Sequence, residues 1–96
     1  MNLRFTPQAV QDLSDIADYI RAENPIAAMR VRAAILESLQ ILISFPHVGR
    51  RQSVENVHRL ITRRFGYLVY YQLDEVASEI VVLAIRHPAR APLSSE

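Results

Sequence analysis

The 96-residue chain contains no cysteine. That absence excludes a disulfide framework, a thiolate zinc site and a cysteine nucleophile together. Lysine is also missing: all eleven basic residues are arginine, which removes Schiff-base and amine-nucleophile mechanisms and any phosphate loop that depends on lysine. Gly49 and Gly66 are the whole glycine supply, too few for a glycine-rich phosphate cradle or a nucleophile elbow around any of the serines. No apolar run approaches the roughly 18 residues of a membrane span, and Met1 to Pro7 lacks the apolar core of a signal peptide. A cytoplasmic location without membrane contact is expected.

What is present is half apolar and 22% charged, the composition of one small folded domain. A chain this short buries only about 60–65% of the surface it exposes when unfolded, so its size alone favours a stabilising partner. The domain is expected over residues 1–90, with a tail over 91–96. The formal net charge of +1 hides an asymmetry. Residues 1–49 hold four arginines and five acids, whereas residues 50–90 hold seven arginines and four acids. The basic character belongs to the second half.

Leu3-Arg4-Phe5 reads as a short strand, and Thr6-Pro7 as a helix start, a capping hydroxyl followed by proline at the first helical position. Val10, Leu13, Ile16, Ala17 and Ile20 then recur at helical spacing, to an end near Ala22-Glu23. Asn24-Pro25 repeats the start signal, and a connection this short predicts an antiparallel helical hairpin. The second helix carries a stripe of Ala28, Val31, Ile35, Leu39 and Leu42, widened on one side by Met29, Leu36 and Ile43, with Arg30, Glu37, Gln40 and Ser44 opposite. Phe45-Pro46 stops it, and Phe45 to Asn56 reads as a polar loop. Beyond it the period drops to two, in runs over 57–63, 67–73 and 79–86 joined as antiparallel hairpins. The last run, apolar on both faces, reads as a central strand. The fold class is α+β, in the order β-α-α-β-β-β, with the hairpin on one face of a small antiparallel sheet.

Few residues invite chemistry. Asp12, Asp15 and Asp18 share a ridge of the first helix, which reads as a solvated face pairing with Arg30 or Arg32. His47, His58 and His87 are scattered and form no metal-ligand motif. Alternation puts Arg59, Ile61 and Arg63 on one strand face and Leu60 and Thr62 on the other. If Leu60 faces the helices, those arginines stand on the open face, where with Arg86, Arg90, Arg50 and Arg51 they form a cationic surface able to meet phosphate or carboxylate. The alternative is that each pairs with a nearby acid. Tyr67, Tyr70 and Tyr71 are placed to stack on bases or to pack the sheet, with packing expected for at least two.

In order and spacing the chain resembles the RelE/ParE superfamily of bacterial toxins, the killing half of type II toxin–antitoxin pairs. The resemblance runs from Leu3 to about Arg90. It is carried by Thr6-Pro7-Gln8-Ala9 with Asp12-Leu13, Ile16 to Ile20, Asn24-Pro25 with Ala27-Ala28, Phe45 to Arg50, Arg59 to Tyr71, and Ile85 to Arg90. RelE-like members cut mRNA in the ribosome, holding the scissile phosphate with basic side chains and, in some, a tyrosine near the C-terminus. Here Arg59 and Arg90 match basic positions, but two others fall on Ile61 and Leu68, and no tyrosine follows Tyr71. ParE-like members are similar to this chain in Asn24-Pro25, Pro46-x-x-Gly49-Arg50 and Ile85-x-His87-x-x-Arg90. That branch implies a cofactor-free binding inhibitor of DNA gyrase without catalytic or metal-ligating residues, neutralised by an antitoxin and not itself a sequence-specific DNA binder. Arg50, Arg59, Arg63, Arg86, His87 and Arg90 are then the target-facing candidates. Met29, Leu36 and Ile43 are the antitoxin-facing ones, expected to be partly exposed in the free chain.

Overall fold

Thr6 opens the first helix as read: its hydroxyl accepts from the Ala9 amide at 3.1 Å and also donates to the Leu83 carbonyl at 2.9 Å, tying the helix start to the last strand. In the computed structural model, which describes residues 1–89, strand β1 (Asn2–Phe5) leads into α1 (Pro7–Arg21) and α2 (Pro25–Ser44). Four strands follow: β2 (Arg50–Arg51), β3 (Val57–Ile61), β4 (Leu68–Asp74) and β5 (Glu79–Arg86). Arg90 and the tail expected over 91–96 lie outside the described residues. Asn24 caps α2 by accepting from the Ala27 amide at 3.0 Å, so the turn between the helices is three residues long and the hairpin is forced.

The sheet order is β1-β5-β4-β3-β2. β5 is central, as its two apolar faces predict. Two features differ from the antiparallel sheet expected. β1 pairs with β5 in parallel, because the helical hairpin carries the chain over the sheet and the last strand then runs alongside the first, so the sheet is mixed. Arg50-Arg51, read as loop, form a two-residue edge strand against Arg59 and His58. The run expected to reach residue 63 leaves the sheet at Ile61, which moves Arg63 off the strand into the following turn. Leu83 is the extra residue of a bulge, since Tyr70 pairs with Ala84 and Tyr71 with Val82.

Both helices cover one face. There Val31, Ile35, Leu39 and Leu42 of α2 pack with Val69, Tyr71, Ile80, Val82 and Ile85, and Leu60 joins them as expected. The opposite face holds a smaller cluster of Val57, Tyr70 and Ala84 flanked by Leu68 and Leu83, with no helical member. The α2 stripe is buried as read, and Arg30, Glu37, Gln40 and Ser44 are exposed. In α1 the reading fails at two positions. Val10 is exposed, while Ala9 and Asp12 turn inward. Asp12 is no part of a solvated ridge: its carboxylate accepts from the backbone amide of Ile85 at 3.0 Å and from Gln8 Nε2 at 2.7 Å. Asp18 pairs within its own helix with Arg21 at 2.8 Å, and neither Arg30 nor Arg32 pairs with the ridge among the described residues.

Candidate functional site

The β2–β3 ribbon sorts the basic residues by face. Arg50 opposes Arg59 and Arg51 opposes His58, so alternation sends one pair to each side of the sheet. Arg59 also opposes Tyr70 across the next ladder, which puts Arg50, Arg59 and Tyr70 in one row on the helix-free face. In that row Arg59 Nε and the Tyr70 hydroxyl are buried without a hydrogen-bond partner. The next row on the same face is Ile61 and Leu68, in register across β3 and β4. Ile61 is 53% exposed, an apolar patch beside the guanidinium pair. Arg63 stands exposed in a turn closed by the Thr62 amide on the Tyr67 carbonyl and the Tyr67 amide on the Thr62 hydroxyl, both at 2.9 Å. Gly66 sits at φ +67 in that turn, a conformation glycine adopts without strain.

Arg86 and His87 form a second group where β5 ends. Arg86 Nη1 lies 3.6 Å from Asp12 Oδ1, so this arginine is anchored to a buried carboxylate on α1. His87 meets Tyr67 edge-on at 5.6 Å between ring centres, and its Nδ1 accepts from the Ala89 amide at 3.1 Å. The ring is thus held by its neighbours while remaining exposed. Burial pushes the Tyr67 hydroxyl above its usual pKa, so it stays protonated at neutral pH. Asp12, Tyr19, Tyr67, Ile85, Arg86 and His87 line most of a cleft of about 480 Å³ between α1 and the end of β5.

The predicted arginines therefore do not form one patch. Arg50 and Arg59 come together, Arg86 and His87 come together, Arg63 lies in the turn, and Arg90 is beyond the described residues. Of the two readings offered for these arginines, pairing with an acid holds for Arg86. Arg50, Arg59 and Arg63 have no carboxylate within ion-pair distance among the described residues. Tyr70 and Tyr71 are buried in β4, and Tyr67, expected to open that strand, is buried in the turn just before it.

On α2, Met29 is 73% exposed and Leu36 and Ile43 are partly exposed, as expected of a free chain. Ile26, 63% exposed one turn before Met29, extends the same flank. Sequence reasoning missed it, although the three-residue step back from Met29 signals it. Asp12, read as solvated, is instead a buried anchor, because a carboxylate that bonds a backbone amide of a distant strand leaves no trace in helical periodicity.

The sequence of residues 3–92 matches the family model described as the ParE toxin of the type II toxin–antitoxin system parDE. A curated relative from Sinorhizobium fredii (strain NBRC 101917 / NGR234), described as "Putative toxin Y4kP", is 27% identical over 85 residues, covering 88% of this chain and 85% of the relative. Among solved structures, the chromosomal ParDE system from P. aeruginosa aligns with a TM-score of 0.78 at 26% identity, covering 91% of this chain and 95% of that one. The intact E. coli RelBE toxin–antitoxin complex aligns with a TM-score of 0.70 at 15% identity, covering 93% and 98%, a likeness of fold alone. A family match over nearly the whole length, on a strand, a helical hairpin and a sheet in the order described above, means that this chain belongs to the ParE toxin family of type II toxin–antitoxin systems.

Proposed function

We propose that the chain acts by binding DNA gyrase and is neutralised by a cognate antitoxin, without cutting RNA itself. The observation that carries this reading is the row Ile61–Leu68, two positions that RelE-like nucleases fill with basic residues. The side chains oppose each other across β3 and β4, and Ile61 is half exposed, so an apolar strip occupies the surface where a nuclease needs cations at the scissile phosphate. Arg50 and Arg59 on one side and His87 at the other end would meet the target, together with Arg90, a candidate from the sequence that lies outside the described residues. The exposed flank of α2 at Met29, Leu36 and Ile43 would receive an apolar antitoxin helix.

Adding the purified chain to gyrase should inhibit supercoiling, and added antitoxin should restore it. Cleavage of translated mRNA with gyrase unaffected would instead establish the RelE-type reaction, which the shared fold and Arg59 leave as the competing reading. Replacing His87 and Arg90 together by alanine should abolish toxicity and leave antitoxin binding intact. Met29→Asp with Leu36→Asp should weaken antitoxin binding and leave gyrase inhibition unchanged.

A further inference from the structure

Away from the surfaces assigned above, Arg51 and His58 share the face of the β2–β3 ribbon opposite to Arg50 and Arg59. They border a hollow of about 480 Å³ together with His47, Gly49, Asn56 and Glu75. The floor is rigid. His58 stacks on Tyr71 at 5.4 Å between ring centres and an interplanar angle of 22°, and the Tyr71 hydroxyl is pinned from both sides, donating to the Pro46 carbonyl and accepting from the Gly49 amide, each at 2.9 Å. His58 Nδ1 is buried without a hydrogen bond, which leaves Nε2 as the ring nitrogen a ligand can reach.

The charges around the hollow are unbalanced. Its one carboxylate, Glu75, lies 3.9 Å from His47 Nε2, so the two neutralise each other when His47 is protonated. Arg51 has no carboxylate within ion-pair distance among the described residues. No three of the described His, Asp and Glu residues are arranged to hold a metal ion. A guanidinium opposite an imidazole suits instead a tetrahedral oxyanion, which accepts from both at once.

We infer that this hollow binds a phosphate-type oxyanion between Arg51 and His58. The His58 ring would donate from Nε2 when protonated, and its face turned away from Tyr71 would support a base if the phosphate is carried on a nucleotide. Burial, then the Arg51 charge, then the His47 charge hold the His58 pKa below its usual value, against a raising contribution from the Asn56 backbone. Glu75 and Tyr71 complete the titratable groups that face the ring. An anion that offsets Arg51 raises the His58 pKa, and by linkage affinity rises as pH falls.

Sulfate is the probe, because it keeps its double charge across the range and any pH dependence then belongs to the protein. Titration followed by NMR should shift His58 and Arg51 resonances saturably, with affinity about threefold higher near pH 6 than near pH 8 and a raised His58 pKa in the complex. Arg51→Gln, at an exposed position, should abolish the response, and Arg50→Gln on the opposite face should leave it intact. Shifts no larger than those of sodium chloride at equal ionic strength, or a response lost with Arg50 and kept without Arg51, would overturn the site. Adenosine monophosphate binding about tenfold tighter than sulfate assigns a nucleotide phosphate through stacking, and equal affinity assigns a free inorganic oxyanion.

Discussion

Tyr70 and Tyr71 are adjacent in β4, both essentially without exposure, yet they finish the two faces of the sheet differently. Tyr71 lies under the helices, and its hydroxyl both donates and accepts, closing the loop from Pro46 to Gly49 against the core. Tyr70 lies on the helix-free face with its hydroxyl unpaired, beside an Arg59 Nε that is also unpaired. A buried polar group without a partner costs roughly 1–3 kcal/mol; among the described residues the open face carries two such groups in one row, Arg59 Nε and the Tyr70 hydroxyl, and the covered face one, His58 Nδ1. On the covered face the tyrosine hydroxyl is satisfied within the chain. The open face, with its unpaired guanidinium pair and the apolar Ile61–Leu68 strip, is built like half of an interface.

Mutations should separate the faces in order of size. Gly49→Ala should be worst, because an added Cβ would lie 2.4 Å from the Tyr71 hydroxyl and 2.7 Å from its ring. Overpacking there should cost about 2–3 kcal/mol in chemical denaturation, since the pinned ring has no free direction to move. Tyr71→Phe should cost about 1–2 kcal/mol by leaving the Gly49 amide and the Pro46 carbonyl without their partner. Tyr70→Phe in the isolated chain should change stability by less than about 0.5 kcal/mol, or raise it, because its hydroxyl bonds nothing. A loss from Tyr70→Phe equal to that from Tyr71→Phe would erase the distinction between the faces.

The smallest effect is on pH. His58 has a folded pKa below its unfolded value, so the stability linked to its neutral form is present above the unfolded pKa near 6.5 and lost as pH falls through the folded one. The thermal midpoint should fall between neutral and mildly acidic pH, and His58→Gln should flatten that fall. An unchanged pH profile in the variant would remove His58 as its source.

The two helices show how much was legible. In α2 the apolar stripe, its polar back and its widened flank all stand as the spacing predicts, because the helix packs broad aliphatic surface and nothing competes with burial. In α1 the same rule puts Val10 inside and Asp12 outside, and both are reversed. The amide of Ile85 needs an acceptor where the β5 strand ends, and Asp12 supplies one, turning the helix so that Ala9 and not Val10 meets the core. A similar limit applies to the arginines. Their clustering in the second half is plain in the chain, but their division into an Arg50–Arg59 pair, an Arg51–His58 pair and an Arg86 anchored to Asp12 depends on β-register and tertiary contact, and the place of Arg63 in a turn depends on β3 ending two residues earlier than its sequence pattern.

By itself the order of residues determined the element types, the two capped helix starts, the central place of β5 and the family resemblance, since each rests on local spacing or on side-chain chemistry read one position at a time. The tertiary structure alone decided the parallel pairing of β1 with β5, the short β2 edge, the buried carboxylate of Asp12 and the assignment of each arginine to a face. These depend on which backbone groups from distant segments must find hydrogen-bond partners, and no local pattern records that demand. Even the missing lysine gains meaning there. With arginine in place of every lysine, the fold sets two forked, permanently charged donors, Arg50 and Arg59, opposite each other on one side of a two-stranded ribbon and a third, Arg51, opposite His58 on the other.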